Sequence, residues 1–401
     1  MATWVKVLDM GSFILAFYII YWLAGDALTR QKVGELSASA LFTVLLLSAS
    51  FLLVGIAILR KRLVRSCVQE GRGLAFCWLV LGVLGFIQLW ILNLSIPAFQ
   101  QVLGWGLYGL TILLFYFYPP QLRQRSLSLL LRSAIILGAL FFISFPSRSF
   151  AAGFVLMSSV AFYLEKRLVI RLALLILAVL ALGLSGSRMA TVALLIAVVA
   201  PFLARTRLKA PSSWRYPIIA IALVGIGAFF LISTPAFMRT VSLLELITQG
   251  GSPEELRVLT SGRSAVWGEI YLHALESPIW GHGPGAASEL AFAISRNERF
   301  AHPHNDYLRI FHDYGVLGFI LFAAFYGLLL KKARKWLLRP KASEILPWAE
   351  AMFASTIALL MLYLTDNLVI YAFVTSFHGA IMGIFLRKLC AHGFGGYRGT
   401  F

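Results

Sequence analysis

The chain is dominated by apolar runs of roughly 20 residues, separated by short polar or basic connections. About 20 mainly apolar residues carry a helix across a hydrocarbon core of about 30 Å. In lipid, helices and closed barrels alone satisfy their own backbone polar groups. Twelve candidate spans are read, near 9–25, 39–59, 74–93, 102–118, 127–145, 149–164, 168–184, 189–204, 216–233, 306–330, 347–365 and 371–388. The divisions around 145–150, 184–190 and 365–371 rest on very short loops. Composition points the same way. Of 401 residues, 60% are hydrophobic and 13% charged, about half the charge fraction of soluble domains. An ordinary water-soluble enzyme is thereby excluded, because the chain lacks the polar surface one needs. Only Lys6, balanced by Asp9, precedes the first run, and no small-residue cleavage site follows it. That run is therefore expected to be an uncleaved span rather than a signal peptide.

The formal charge is +18, from 35 Lys+Arg against 17 Asp+Glu. In a soluble protein such a charge points to nucleic acid. In a membrane protein basic loops first decide orientation. With the N-terminus in the cytoplasm, 25 of the 35 basic residues and 5 of the 17 acids fall on the cytoplasmic side. Losing or adding one span would put alternate basic loops on the wrong side, so the asymmetry supports the count of twelve. The charge is then explained by insertion direction and anionic lipid heads, with no nucleic acid as partner. Cys67, Cys77 and Cys390 are too few and too scattered for a disulfide framework or a cysteine metal site.

The expected architecture is one all-α polytopic membrane domain over residues 1–401, with a long outward insertion at 234–305. Polar connections of that length are uncommon and usually functional. Within it Ser261 can cap a helix that opens at Gly262. Trp267, Ile270, Tyr271, Ala274 and Leu275 recur at helical spacing and predict its buried face. Arg263 shares that face near the helix N-terminus. There its guanidinium and free N–H groups can converge on an anion, or the side chain can simply snorkel at the interface. Arg188 lies between two apolar spans with almost no loop, which is costly unless it faces a cavity or partner; an interfacial anchor is the other reading. Arg148 sits in a similar outer loop.

The densest polar cluster is His302-Pro303-His304-Asn305-Asp306, followed by Arg309, His312 and Asp313. Pro303 and Asn305 or Asp306 mark the start of the tenth helix, as its N-cap; Asn305, Arg309, His312 and Asp313 form one stripe of it, beside the aromatic stripe Tyr307, Phe311 and Tyr314. This is either a wet helix terminus or a site. No metal is expected, because His302 and His304 are only two apart and no His-Glu pair at i, i+4 accompanies them. Histidine as proton acceptor suits its titration range better. Asp366, in the short loop Thr365-Asp366-Asn367, either pairs with an Arg or His of the same face or caps a helix.

Three motifs make the chain resemble a known family, the O-antigen ligases and related O-antigen polymerases of Gram-negative inner membranes. They are Ser185-Gly186-Ser187-Arg188, then Ser261-Gly262-Arg263 with Trp267 and the Pro278–Gly285 turn, and His304-Asn305 followed after nine residues by Gly315-Val316-Leu317-Gly318. The family's Arg-x3-Leu pattern has Val192 where Leu is expected. The resemblance implies a lipid-dependent glycosyltransferase (GT-C) fold with a periplasmic active site and cytoplasmic termini. The reaction it implies moves polysaccharide from an undecaprenyl pyrophosphate donor to a lipid A–core acceptor, with no metal, nucleotide sugar or other cofactor. Arg188 and Arg263 then stabilise charge on the departing pyrophosphate, and His304 accepts the acceptor's hydroxyl proton with inversion at the anomeric carbon. Asn305, Arg309, His302 and Arg148 are expected to contact substrate, with Asp366 in support. A polymerase or a protein O-oligosaccharyltransferase shares the donor. A polysaccharide flippase is the alternative of another class, but here the unusual polar residues gather at the outer ends of spans.

Overall fold

The computed structural model describes residues 12, 14–21, 32–33, 36–59, 65–92, 95–120, 124–144, 148–184, 187–205, 263–295, 302–339 and 344–393. Their helices are α1 (Ala38–Leu59), α2 (Arg65–Ile91), α3 (Ile96–Phe117), α4 (Gln124–Ser144), α5 (Arg148–Leu164), α6 (Leu168–Leu184) and α7 (Arg188–Arg205). After the undescribed stretch come α8 (Arg263–Ala274), α9 (Ala286–Ser295), α10 (Asp306–Leu337), α11 (Leu346–Tyr363) and α12 (Ala372–Gly393), with one 3-10 turn at Leu368–Ile370. A two-residue antiparallel ladder, Lys32–Val33 with Leu36–Ser37, is the one departure from an all-helical chain among the described residues.

Ten of the twelve expected spans coincide with these helices. The first is described only at residues 12 and 14–21, which are helical. The ninth, 216–233, lies outside the described residues. Among the described residues four helical stretches are long and apolar enough, by length and composition, to cross a membrane: Gly73–Ile91, Ile96–Phe117, Asp306–Leu337 and Leu346–Tyr363. Shorter apolar helical stretches among the described residues include Leu41–Ala57, Ser128–Phe142, Phe150–Leu164, Leu168–Leu184 and Met189–Arg205.

Burial is distributed as a lipid solvent demands. On α2, Phe76, Leu79, Val83, Phe86, Ile87 and Trp90 recur at helical spacing and are exposed, Trp90 at 66%. A contiguous apolar face of that size is an interaction surface in water and an ordinary one in lipid. In contrast α5 is enclosed, every residue from Phe150 to Glu165 being buried, with α4, α6, α7 and α11 packed around it. Most polar groups in the interior are paired, because leaving them bare costs several kcal/mol, on the order of 2–7. His378 on α12, for example, meets Tyr108 Oη at 2.8 Å and Thr356 Oγ1 at 3.1 Å.

The bundle has two chemically distinct ends. At one, Arg132 pairs with Glu165, Arg205 pairs with Glu350, and Arg171 Nη2 donates to the Glu165 carbonyl at 2.6 Å. Burial opposes ionisation of Glu165, yet hydrogen bonds from Ser128, the Arg167 backbone and Arg132 hold its carboxyl below the usual range. All these residues were assigned by charge counting to a single side. α10 places Lys331, Lys332, Arg334 and Lys335 at that same end and Asp306–Asp313 at the other, at least about 27 Å away at 1.5 Å per residue. Cys77 is a buried free thiol and Cys390, at the basic end, is disulfide-bonded.

The insertion is fastened to the far end through backbone contacts that exclude side chains. α10 is broken at Gly315, with φ 64° and ψ −167°. Into the break fits the 278–283 turn. Val316 N–H donates to the Pro278 carbonyl at 2.8 Å, and Gly283 N–H to the Asp313 carbonyl at 2.9 Å. A β-carbon at Gly315 would lie 2.2 Å from the Ile279 carbonyl oxygen, and one at Gly281 (φ 75°) 2.4 Å from that of Asp313. Both positions thus require glycine for conformation and for closeness. Gln88 of α2 donates to the Trp280 carbonyl, and Gln101 of α3 accepts from Gly285 N–H at 3.1 Å.

Candidate functional site

The site is built where α10 begins. Asn305 is extended, with φ −155°, and its Oδ1 accepts from Leu308 N–H at 3.1 Å. This is the expected N-cap, an interaction worth about 1 kcal/mol. The residue before it, His304, has φ 53° and is the one non-glycine residue with positive φ among those described. For a residue with a β-carbon this costs on the order of 1–3 kcal/mol, and such strain concentrates at functional sites.

Asn367 holds His304 in that conformation. Its Oδ1 accepts from His304 backbone N–H at 2.8 Å, and its Nδ2 lies 2.7 Å from His304 Nδ1. Arg309 Nη2 also donates to Asn367 Oδ1, at 3.1 Å. Two donors therefore fix which end of the amide is oxygen, and the NH₂ must face the ring. An amide nitrogen only donates, so Nδ1 is the acceptor and the neutral imidazole carries its proton on Nε2. The residue that sets this tautomer was not singled out from sequence. The available signal was its place beside Asp366 in a short outer loop.

Arg309 and Asp306 are both wholly buried, their Nε and Oδ1 3.6 Å apart. Asp306 Oδ2 accepts from Val369 N–H at 3.0 Å. Arg309 Nε and Nη1 make no hydrogen bond among the described residues. A buried guanidinium with two N–H-bearing nitrogens unspent beside His304 is suited to an anion. Asp366 is buried and its Oδ1 accepts from Asn367 N–H at 2.9 Å, closing the turn that presents Asn367.

His302 Nδ1 lies 3.1 Å from Ser288 Oγ. Burial first, then the charges of Arg309 and His304, push its pKa down to about 3, so it stays neutral at physiological pH. Trp267 of α8 donates to the Pro303 carbonyl at 2.5 Å. Arg263, one turn earlier on the same helix, is half-buried, while Ile270 and Ala274 are buried as expected. Tyr271 and Leu275 are exposed instead, since α8 is a short helix lying on α9 and α10 and buries a narrower stripe than the five-residue pattern implied.

The structure thus brings together His302, His304, Asn305, Arg309 and Asp366, with Arg263 on the helix that clasps them. Arg188 and Arg148 open α7 and α5, but their side chains lie outside the described residues. Among the described residues His273, His282 and His312 form a second cluster, which sequence spacing did not reveal.

Apolar helices of spanning length with a polar, strained site at one end of the bundle define a polytopic membrane protein. Residues 172–323 match the O-antigen ligase family model. The match runs from α6 into α10 and covers Arg188, Arg263, His302, His304, Asn305 and Arg309; Arg148, Asp366 and Asn367 lie beyond it. No curated protein matches the chain.

Proposed function

We propose that this protein is an O-antigen ligase, moving polysaccharide from undecaprenyl pyrophosphate to a sugar of lipid A–core at the periplasmic face of the bacterial inner membrane. The observation that carries the reading is His304, held in a strained conformation by Asn367 inside the family segment. Residues 1–401 form one membrane domain of GT-C type with twelve spans, and 234–305 is its periplasmic insertion. The charge asymmetry supports this orientation. The disulfide at Cys390 argues the other way, because the cytosol keeps thiols reduced; one bridge is weaker testimony than 25 of 35 basic residues on one side.

In the reaction the acceptor hydroxyl oxygen attacks the anomeric carbon. The bond to the pyrophosphate oxygen breaks on the opposite face, and its electron pair leaves with the pyrophosphate. The anomeric centre inverts. Arg263, Arg188 and Arg309 supply fixed positive charge where negative charge develops. No step requires a metal. The sequence suggested His304 as base, but the Asn367 contact favours the tautomer with the proton on Nε2. In that form His304 donates to the pyrophosphate, and the hydroxyl proton passes to water on the attacking face. Asn305 and Asp366 hold the frame, His302 lines the substrate side, and Arg148 is assigned to substrate contact from the sequence alone. An apolar groove between α2, α3 and α10, lined by Trp78, Leu81, Gly85, Trp105 and Tyr314, suits an isoprenoid chain.

Lipopolysaccharide gels of a deletion strain test the assignment. A ligase deletion removes long glycan from lipid A–core while lipid-linked polymer accumulates. Core carrying a single repeat would assign the protein as a polymerase, and unchanged core with lost protein glycosylation as an O-oligosaccharyltransferase.

A further inference from the structure

We propose that His273, His282 and His312 form a binding site for one divalent first-row cation of zinc's class, which pins the insertion to α10. The three residues come from α8, from the turn that follows it and from α10. One ligand nitrogen from each lies within 4.8 Å of the others. The ring centroids are 4.1, 4.8 and 5.1 Å apart.

Each ring is oriented by a partner at its other nitrogen. His312 Nδ1 is 3.0 Å from Asp313 Oδ1, a carboxylate that also receives N–H bonds from Ala287 at 2.8 Å and Gly285 at 3.0 Å. Such a carboxylate only accepts, so His312 Nδ1 carries the proton and Nε2 presents a lone pair. His282 Nε2 lies 2.7 Å from the His273 carbonyl, which requires N–H there and leaves Nδ1 as its ligand atom. His273 turns Nε2 toward Glu276 Oε2 at 3.7 Å and Nδ1 toward His312 Nε2 at 3.0 Å. This is the outer-shell arrangement that fixes histidine ligands, in which carboxylate or carbonyl takes the second ring N–H.

The closest pair already has nearly the spacing of a bound ion, and the widest, within 4.8 Å, closes by up to about 1.5 Å on binding. Two nitrogens at 2.0–2.1 Å from a tetrahedral zinc are about 3.3 Å apart, so His273 and His312 need a few tenths of an ångström. His312 is buried while His273 and His282 are half-buried, giving the ion an entry and a place for a water as fourth ligand. Three imidazoles select zinc, copper or nickel over magnesium or calcium. The ion serves no step of the transfer proposed above.

The test uses the full chain in detergent, purified on a tag without histidine, loaded with ZnCl₂, desalted and measured by mass spectrometry of metals. Wild type should retain about one zinc per chain and gain thermal stability. His273→Ala and His282→Ala should each lose both. Cobalt(II) loaded into wild type should give the visible spectrum of a tetrahedral site, an outcome independent of whether either variant folds. Wild type without retained zinc, or without the tetrahedral cobalt spectrum, overturns the proposal, as does equal zinc in wild type and folded variants. Either result leaves the transfer reading untouched.

Discussion

His304→Ala should reduce glycan transfer by about 10²–10³-fold, the usual loss on removing a preorganised donor, while the protein still inserts and purifies as a folded species. The decisive companion is His304→Gly. Glycine relieves the positive φ of residue 304, so this variant should be as stable as wild type or more so, yet equally inactive. Wild-type turnover in either variant would refute the assignment. Asn367→Asp separates the two chemical roles of the ring. A carboxylate at 367 still accepts from His304 N–H and Arg309, but it favours the proton on Nδ1 and strips it from Nε2 of the neutral ring. If His304 donates, transfer by Asn367→Asp falls as pH rises and the imidazolium deprotonates. If His304 is the base, the same variant gains activity with rising pH. A pH–rate profile distinguishes these slopes.

Gly315→Ala should cost about 3 kcal/mol or more, from the positive φ and the forced separation of α10 from the 278–283 turn. A β-carbon there meets the Ile279 carbonyl at 2.2 Å, and backbone on both sides leaves no flexible side chain to yield. The measurement is the unfolding midpoint of detergent-purified protein, with Gly327→Ala as control. Gly327 lies in the same helix with no atom within 4 Å of an added β-carbon, so there alanine should be neutral or stabilising by up to about 1 kcal/mol. A Gly315→Ala midpoint equal to that of wild type would contradict the docking described for the insertion.

Much of the helical framework was legible because lipid imposes a simple rule on sequence. Runs such as 74–93 and 347–365 can satisfy their backbone only as helices, and α2 and α11 lie there. Charge counting anticipated that Arg132 and Glu165, and Arg205 and Glu350, would share an end. Asn305 was readable as a cap because capping is local chemistry. The ladder at Lys32–Ser37 was not, being two residues long on each side. Within the site, His304, Arg309 and Asp366 announced themselves as polar groups out of place in an apolar chain. Asn367 did not, since its function depends on a partner 63 positions away. The His273–His282–His312 cluster stayed hidden for the same reason. His273 and His312 meet only because Gly281 and Gly315 let two backbones touch, and periodicity along one helix carries no trace of that contact.

The central claim is transfer of a lipid-linked glycan to lipid A–core, and purified components test it most directly. Protein in detergent or nanodiscs is mixed with undecaprenyl-pyrophosphate-linked glycan and lipid A–core, without added Mg²⁺, and the products are resolved by gel. The account predicts glycan joined to core only when both substrates and intact His304 are present. Glycan that extends the lipid-linked donor while core remains unmodified would contradict it.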